Sequence, residues 1–340
     1  MSDRDAAIHA FIAASGWDDA QVGPLAGDAS NRRYLRLNRR GETAVVMDAP
    51  KEKGEDIRPF LHIARYLSGI GLSAPGILAE DEAQGFILLE DLGNDLFARL
   101  IPQHPDLENM LYSNATDLLV HLHQSAPPAD LAPYDVPMMA DMAALAFDWY
   151  LAALTGEDEG ARSVFHSEIT RALTTFVPDQ TVLIQRDYHS ENLLWLPDRN
   201  DVARVGLLDF QDAMLGHPGY DLVSLLQDAR RDVPPEVEAR MIEHYVLKTD
   251  QDSAEFTAAY HALGAQRNLR ILGVFARLCV RDGKAHYVDL IPRVWGLLQR
   301  DLAHPALKPL ADLVHTHLPA PTDDILKVLK DKCATIPHPS

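Results

Sequence analysis

The chain has 340 residues, of which 47% are hydrophobic and 24% charged, as in a globular protein with a sizeable core. Its formal net charge of −19 disfavours nucleic acid and anionic membranes as partners, because both call for a basic surface. The two cysteines, Cys279 and Cys333, form no CxxC motif and predict reduced thiols in a cytoplasmic protein. No uninterrupted apolar run of about 18 residues occurs, so no transmembrane helix is expected.

The N-terminal part of the chain mixes helix and strand signals. Residues 4–15 predict a short helix, and residues 34–37 and 43–47 have strand character. Apolar residues then recur at i, i+3, i+4 and i+7 from Ile57 to Leu67, which predicts an amphipathic helix. A short apolar strand at 86–89 follows.

The remainder of the chain is mostly helical in pattern. Helical periodicity extends from about residue 107, and short strands interrupt it between residues 181 and 209. The apolar strand at 86–89 gives way to a glycine and a polar stretch at Leu92-Gly93. The pattern therefore predicts a small mixed lobe, residues 1–92, followed by a large helical lobe, residues 93–340.

One segment brings polar residues together through strand pairing. The apolar run after Asn192 and the run before Asp209 are joined by a polar turn that begins at Pro197, which predicts a β-hairpin. The start of the first strand of an antiparallel hairpin lies beside the end of the second. Asn192 and Asp209 should therefore be neighbours, and Asp187 should lie on the loop that enters the hairpin.

These three side chains suit phosphoryl transfer. Amide and carboxylate oxygens are ligands for a hard cation such as Mg²⁺, which also shares phosphate oxygens. With Asn192 and Asp209 on the metal, Asp187 remains to accept a proton from an attacking hydroxyl. Asp212 could assist the metal or simply form a turn.

The segments Asp187-Tyr-His-Ser-Glu-Asn192 and Leu208-Asp209-Phe-Gln-Asp212-Ala213 resemble the aminoglycoside phosphotransferase and choline kinase superfamily, over nearly the whole chain. The segments at 27–36, 88–93, 220–226 and 273–284 are similar to bacterial anomeric N-acetylmuramate/N-acetylglucosamine kinases. The resemblance implies an α+β, protein-kinase-like two-lobe fold with a small antiparallel-sheet N-lobe and a larger, mainly helical C-lobe. It also implies ATP and Mg²⁺ as cofactors, and transfer of the γ-phosphate to C1 of a small-molecule sugar in peptidoglycan recycling.

The resemblance also assigns roles by position. Asp187 would be the catalytic base, and Asn192 and Asp209 the metal ligands. Glu90 and Leu92 would bind adenine through backbone groups at the hinge. Two further residues would support the catalytic loop: Asp221, which could instead be a helix N-terminal charge, and His189, which could instead touch the acceptor.

The phosphate site is less regular. Small residues in Gly27-Asp-Ala-Ser30 would let backbone N–H groups approach phosphates, and Ser30 or Asn31 could donate as well. Arg32, Arg33 and Arg36 supply positive charge. Met47 stands where kinases carry a phosphate-binding lysine, so an arginine of this cluster or Lys51 must substitute, or the protein is a silent pseudokinase. Gln185 stands where the catalytic loop usually has histidine, with little expected loss.

The acceptor is predicted to lie over the helical lobe. Trp149 and Tyr150 are candidates for stacking, and Arg277 and Arg281, four residues apart, could jointly bind a substrate carboxylate such as a lactyl group. An aminoglycoside or a choline-like molecule is the alternative acceptor.

Overall fold

The computed structural model describes residues 3–25 and 31–336. Its strands are β1 Gln21–Leu25, β2 Arg33–Arg39, β3 Glu42–Asp48, β4 Ile77–Asp81, β5 Phe86–Glu90, β6 Val182–Ile184, β7 Leu193–Trp195, β8 Val205–Leu207 and β9 Met214–Gly216. Strands β1 to β5 form one sheet in the order β1-β2-β3-β5-β4, with antiparallel pairing throughout. The strands predicted at 34–37 and 43–47 are the paired centres of β2 and β3.

The helices are α1 Asp3–Ala14, α2 Arg58–Gly69, α3 Phe97–Gln103, α4 Glu108–Gln124, α5 Val136–Leu145, α6 Ala152–Thr155, α7 Glu159–Phe176, α8 Gly219–Leu226, α9 Pro235–Thr249, α10 Ser253–Val280, α11 Ile291–Leu302, α12 Lys308–His317 and α13 Asp323–Asp331. The predicted α+β architecture, with an antiparallel sheet in the N-terminal region and a mainly helical C-terminal part, is confirmed. Within the described ranges, no helix combines the length and apolar character needed to cross a bilayer.

Helix α1 covers one face of the five-stranded sheet. Ile8, Phe11 and Ile12 recur at helical spacing and are buried against alternating sheet residues such as Val46 and Leu88. Burial of this apolar surface stabilises the sheet and leaves the opposite side chains, Met47 among them, on its other face. Met47 itself is fully buried in β3.

The chain packs into two compact units. The first comprises Met1–Pro128 and Gln185–Ala213, and the second comprises Ala129–Ile184 and Met214–Ser340. The segment predicted to carry the chemistry thus belongs to the same unit as the N-terminal sheet. The lobe boundary between residues 92 and 93 stays a prediction.

Helix α10 crosses the end of α5 at very short range inside the second unit. A Cβ atom at Gly273 would lie 2.2 Å from the carbonyl carbon of Leu145 and 2.6 Å from the nitrogen of Ala146. Both are backbone atoms at the start of a π-helical turn, Ala146–Leu151, so neither can swing aside. Only glycine fits at this crossing.

Gly273→Ala should therefore lower the free energy of unfolding by about 3 kcal/mol through overpacking. Gly296→Ala in α11 is the matched control, because a Cβ there meets nothing within 4 Å. That control should stabilise the protein by about 0.5–1 kcal/mol through helix propensity. Urea unfolding followed by circular dichroism measures both, and equal effects would contradict the close crossing.

The prediction of reduced cysteines is wrong. Cys279, near the end of α10, and Cys333, just after α13, form a disulfide across a sequence separation of 54. The pairing could not be predicted from the sequence, because it depends on α13 packing against α10. Next to the disulfide, the N–H of Ala334 donates to the carbonyl of Cys279 (3.0 Å). The bond ties the C-terminal segment to the central helix of the second unit.

Cys333→Ala should lower the free energy of unfolding by about 4 kcal/mol, because the unfolded chain regains the freedom of a long loop. Dithiothreitol should reproduce this loss in the wild type and add nothing in the variant. Denaturant midpoints with and without dithiothreitol provide the measurement. A wild-type midpoint that is indifferent to reductant would contradict a structural role for the disulfide.

Candidate active site

The predicted hairpin forms and places two polar residues side by side. Strands β7 and β8 pair antiparallel, with Leu193 opposite Leu207. The N–H of Leu208, which precedes Asp209, donates to the carbonyl of Asn192 (2.9 Å). The inference that Asn192 and Asp209 are neighbours across a two-stranded ribbon is thus confirmed by the backbone.

Hydrogen bonds between its own residues hold the loop that enters the hairpin. The Nδ2 of Asn192 donates to the carbonyl of Asp187 (2.9 Å), and its backbone N–H donates to the carbonyl of His189 (2.8 Å). Tyr188 is buried and its hydroxyl donates to the carbonyl of Ala115 in α4 (2.8 Å). The Tyr188 side chain is thus an anchor, which helps to fix Asp187 and Asn192 relative to each other.

Asp209 has a backbone conformation that few residues adopt. Its φ of 57° lies in the left-handed region, where aspartate and asparagine are tolerated better than most residues. Gln211 is nearly buried, and its Nε2 donates to Oδ1 of Asp209 (2.7 Å). Phe210, between them, is buried against Phe60 of α2 at a ring-centroid distance of 4.9 Å. The sequence reasoning missed the orienting role of Gln211, although its place two residues after Asp209 could have suggested it.

These donors fit a magnesium ion that is shared with phosphate oxygens. The bond from Nδ2 to Asp187 commits the nitrogen end of the Asn192 amide and leaves Oδ1 for a cation. Among the described residues, no cluster of three or more His, Cys, Asp or Glu side chains could hold a metal. A site of one amide and one carboxylate would therefore rely on phosphate oxygens and waters to complete the coordination shell. Asp212, for which the sequence left both a metal role and a turn role open, is exposed, and its carbonyl accepts a hydrogen bond from the Nη1 of Arg186 (3.5 Å).

Two residues predicted to bind adenine, Glu90 and Leu92, differ in whether their polar groups are already hydrogen-bonded. The carboxylate of Glu90 accepts from the N–H of Gly76 and from Arg199, so it is a paired group. Within the described part of the chain, the backbone N–H and C=O of Leu92 make no hydrogen bond. The Leu92 side chain packs over Gly206, where a Cβ would meet Leu92 Cδ1 at 3.1 Å. Leu92 therefore offers a donor and an acceptor beside an apolar surface, as a base such as adenine requires.

The predicted phosphate loop is only partly described. Ser30 lies outside the described residues. Asn31 donates from its backbone N–H to Glu55 (3.1 Å) and from Nδ2 to the carbonyl of Lys53 (3.2 Å). Each arginine of the cluster is ion-paired with an acid: Arg32 with Glu55 (2.9 Å), Arg33 with Asp48 (3.0 Å) and Arg36 with Asp91 (2.8 Å). Their roles toward phosphate, and the residue that replaces the usual lysine, stay predictions.

The remaining predicted site residues range from fully buried to partly exposed. His189 is buried within the loop that enters the hairpin, and its role there stays a prediction. Asp221 is fully buried in α8 of the second unit; burial, followed by the charge of Asp221, raises the pKa of Tyr245. Tyr150 is also fully buried and donates to the carbonyl of Pro319 (2.8 Å), so it cannot stack on a sugar. Trp149 is partly exposed.

Comparison with known proteins agrees with this geometry. Residues 21–258 match the family described as the phosphotransferase enzyme family, and the chain belongs to it. The N-acetylmuramate/N-acetylglucosamine kinase of Caulobacter vibrioides is 39% identical, over 94% of this chain and 98% of that protein. The kinase of the same name from Pseudomonas aeruginosa is 35% identical, over 91% and 93%.

Solved structures of low identity share the fold. The choline kinase LicA from Streptococcus pneumoniae has a TM-score of 0.59 at 13% identity, over 93% of this chain and 100% of its own. The gentamicin complex of APH(2")-IIa has a TM-score of 0.61 at 14% identity, over 90% and 99%. The resemblance inferred from the sequence motifs is therefore confirmed at the level of both family and fold.

Proposed function

We propose that this phosphotransferase uses ATP and Mg²⁺ to phosphorylate the C1 hydroxyl of N-acetylmuramate or N-acetylglucosamine during cytoplasmic recycling of peptidoglycan. The observation that carries the proposal is the hydrogen-bonded arrangement of Asp187, Asn192 and the residue before Asp209. It supports a role for one carboxylate as proton acceptor and for two oxygen-bearing side chains as ligands of Mg²⁺, all within a single rigid element. The similarity to kinases named for these sugars supports the acceptor.

Each residue has a distinct part in the reaction. Asp187 would accept the proton of the sugar hydroxyl as it attacks the γ-phosphorus in line with the leaving ADP oxygen. Asn192 and Asp209 would hold Mg²⁺, which when bound neutralises charge on the phosphates. Gln211 would keep the Asp209 carboxylate in one orientation. Leu92 would bind the adenine edge through its backbone, and the segment that contains Ser30, Asn31 and Arg32 would lie at the phosphates.

An acceptor panel tests the proposal. Release of ADP from ATP is measured with N-acetylmuramate, N-acetylglucosamine, choline and an aminoglycoside, each with and without Mg²⁺. The expected result is Mg²⁺-dependent release with the two amino sugars alone. Turnover of choline or the aminoglycoside would show that the acceptor is not an amino sugar of the cell wall. Nucleotide binding without turnover of any acceptor would show that the chain is a silent pseudokinase, the alternative raised by Met47.

A further inference from the structure

Arg36 lies in the middle of β2, on the face of the five-stranded sheet that α1 does not cover. Its neighbour Leu37 is buried in the apolar cluster that α1 forms with the other face. Because side chains alternate along a strand, Arg36 points to the opposite side from Leu37. Its register partner in β3 is Val45, two residues from Met47, so Arg36 shares a sheet face with Met47.

The Arg36 guanidinium contacts one short segment, residues 91–94, which follows β5. Its Nε lies 2.8 Å from Oδ2 of Asp91, and its Nη2 donates to Oδ1 of the same carboxylate (2.9 Å). Nη2 also donates to the carbonyl of Gly93 (3.1 Å), and Nη1 donates to Oδ1 of Asn94 (2.7 Å). One side chain of β2 therefore contacts three of the four residues of the 91–94 segment.

The 91–94 segment is also a tight turn in its own right. Oδ1 of Asp91 accepts from the backbone N–H of Gly93 (3.0 Å), which closes the turn around Leu92. Gly93 has a φ of 89°, in the left-handed region that glycine adopts without strain. The Asp91 side chain is only 5% exposed, and it is fixed by both the turn and the ion pair. The backbone of Leu92 thus lies between two residues that Arg36 contacts.

These contacts bear on what Arg36 does. The sequence predicts that it supplies charge near the phosphates. To bind a phosphate, the guanidinium would have to leave its partners and strip the nearly buried Asp91 carboxylate of its counter-charge, which is costly. A fixed turn, by contrast, lowers the ordering cost that a ligand of the Leu92 backbone would otherwise incur. The geometry therefore favours a role toward the base.

We propose that Arg36 is a positioning residue, which preorganises the backbone of Leu92 for adenine and thereby determines the affinity of the enzyme for the base of ATP. The proposal rests on the proposed function, because adenine binding at Leu92 is part of it. Arg36 acts through the 91–94 segment and has no part in the transfer of the phosphoryl group. Its loss should therefore weaken nucleotide binding and leave kcat at saturating ATP nearly unchanged.

The test measures the binding of ATP with Mg²⁺, of adenosine and of inorganic tripolyphosphate to Arg36→Lys by calorimetric titration. Lysine keeps a positive charge beside Asp91, so the fold should be retained, but it lacks the planar fork that reaches several acceptors. The dissociation constants of ATP and adenosine should rise about tenfold. That of tripolyphosphate should stay within about twofold, and kcat at saturating ATP within about threefold.

Arg39→Lys is the matched control. Arg39 also lies in β2, its side chain is 27% exposed against 25% for Arg36, and it is ion-paired with Glu42 at a distance from the 91–94 segment in sequence. All three ligands should bind to this variant as they bind to the wild type. Equal weakening of adenosine binding in the two variants would overturn the proposal.

Arg36→Gln tests the phosphate role directly, because it removes the charge as well as the fork. Tripolyphosphate should still bind within about twofold of the wild type. Tripolyphosphate binding that weakens as much as ATP binding, or adenosine binding that is unchanged in Arg36→Lys, would overturn the assignment. Absence of sugar turnover by the wild type would instead overturn the proposed function and leave these binding constants measurable, so the two failures are distinguishable.

Discussion

Asp187→Asn should reduce phosphoryl transfer to the amino sugars by about 10³-fold, the range that a positioned general base contributes. The substitution keeps the size of the side chain and the backbone carbonyl that accepts from Asn192. It removes the proton acceptor, because an amide oxygen is far less basic than a carboxylate. Steady-state ADP release gives the rate, and calorimetric titration of ATP with Mg²⁺ should give a dissociation constant within about threefold of the wild type.

Asp198→Asn is the control for this experiment. Asp198 lies in the exposed connection between β7 and β8, so the same chemical change occurs in the same hairpin, away from the loop. Its activity should match the wild type. Full activity of Asp187→Asn would show that the Asp187 carboxylate is not the general base. The loop would then serve only to position other groups.

Asp209→Asn should also decrease turnover by about 10³-fold, through loss of the charged ligand for Mg²⁺. Asparagine tolerates the left-handed backbone that Asp209 adopts, so the fold should be retained. The bond from Gln211 can persist to the amide oxygen, whereas the negative charge is lost. The Mg²⁺ concentration that gives half-maximal ADP release should rise at least about tenfold.

Asp201→Asn is the control for Asp209→Asn, because both variants make the same chemical change at a residue with a left-handed backbone conformation. Asp201 is exposed and has a φ of 48°, close to the 57° of Asp209. Its Mg²⁺ dependence should be that of the wild type. If the two variants behave alike, the effect at Asp209 would come from the backbone and not from the metal.

Local sequence patterns were sufficient for the central hairpin. Alternating apolar residues and a polar turn specify an antiparallel pair, and antiparallel pairing fixes which ends meet. The proximity of Asn192 and Asp209, which are 17 positions apart in the sequence, was therefore predictable. Helix α1 and strands β2, β3 and β5 followed from equally local patterns, whereas their assembly into an antiparallel sheet was implied by the family resemblance.

Contacts that depend on long-range chain return were not predictable. The bond between Cys279 and Cys333 requires α13 to fold back on α10, and the pairing of Glu90 with Arg199 joins residues 109 positions apart. The spacing of apolar residues along the sequence does not show which distant segments come into contact. The surroundings of Arg277 and Arg281 also escaped the sequence, because helical spacing makes them equivalent, whereas Arg281 is ion-paired with Asp282 and the Nε of Arg277 is buried. Their role toward a substrate carboxylate stays a prediction.

The most direct test of the account is a phosphorus–proton NMR spectrum of the product formed from ATP and N-acetylmuramate. Transfer to C1 predicts a phosphorus resonance that couples to the anomeric proton of the sugar and grows in step with ADP. Coupling to the protons at C6, or a spectrum containing inorganic phosphate alone, would contradict the proposed reaction.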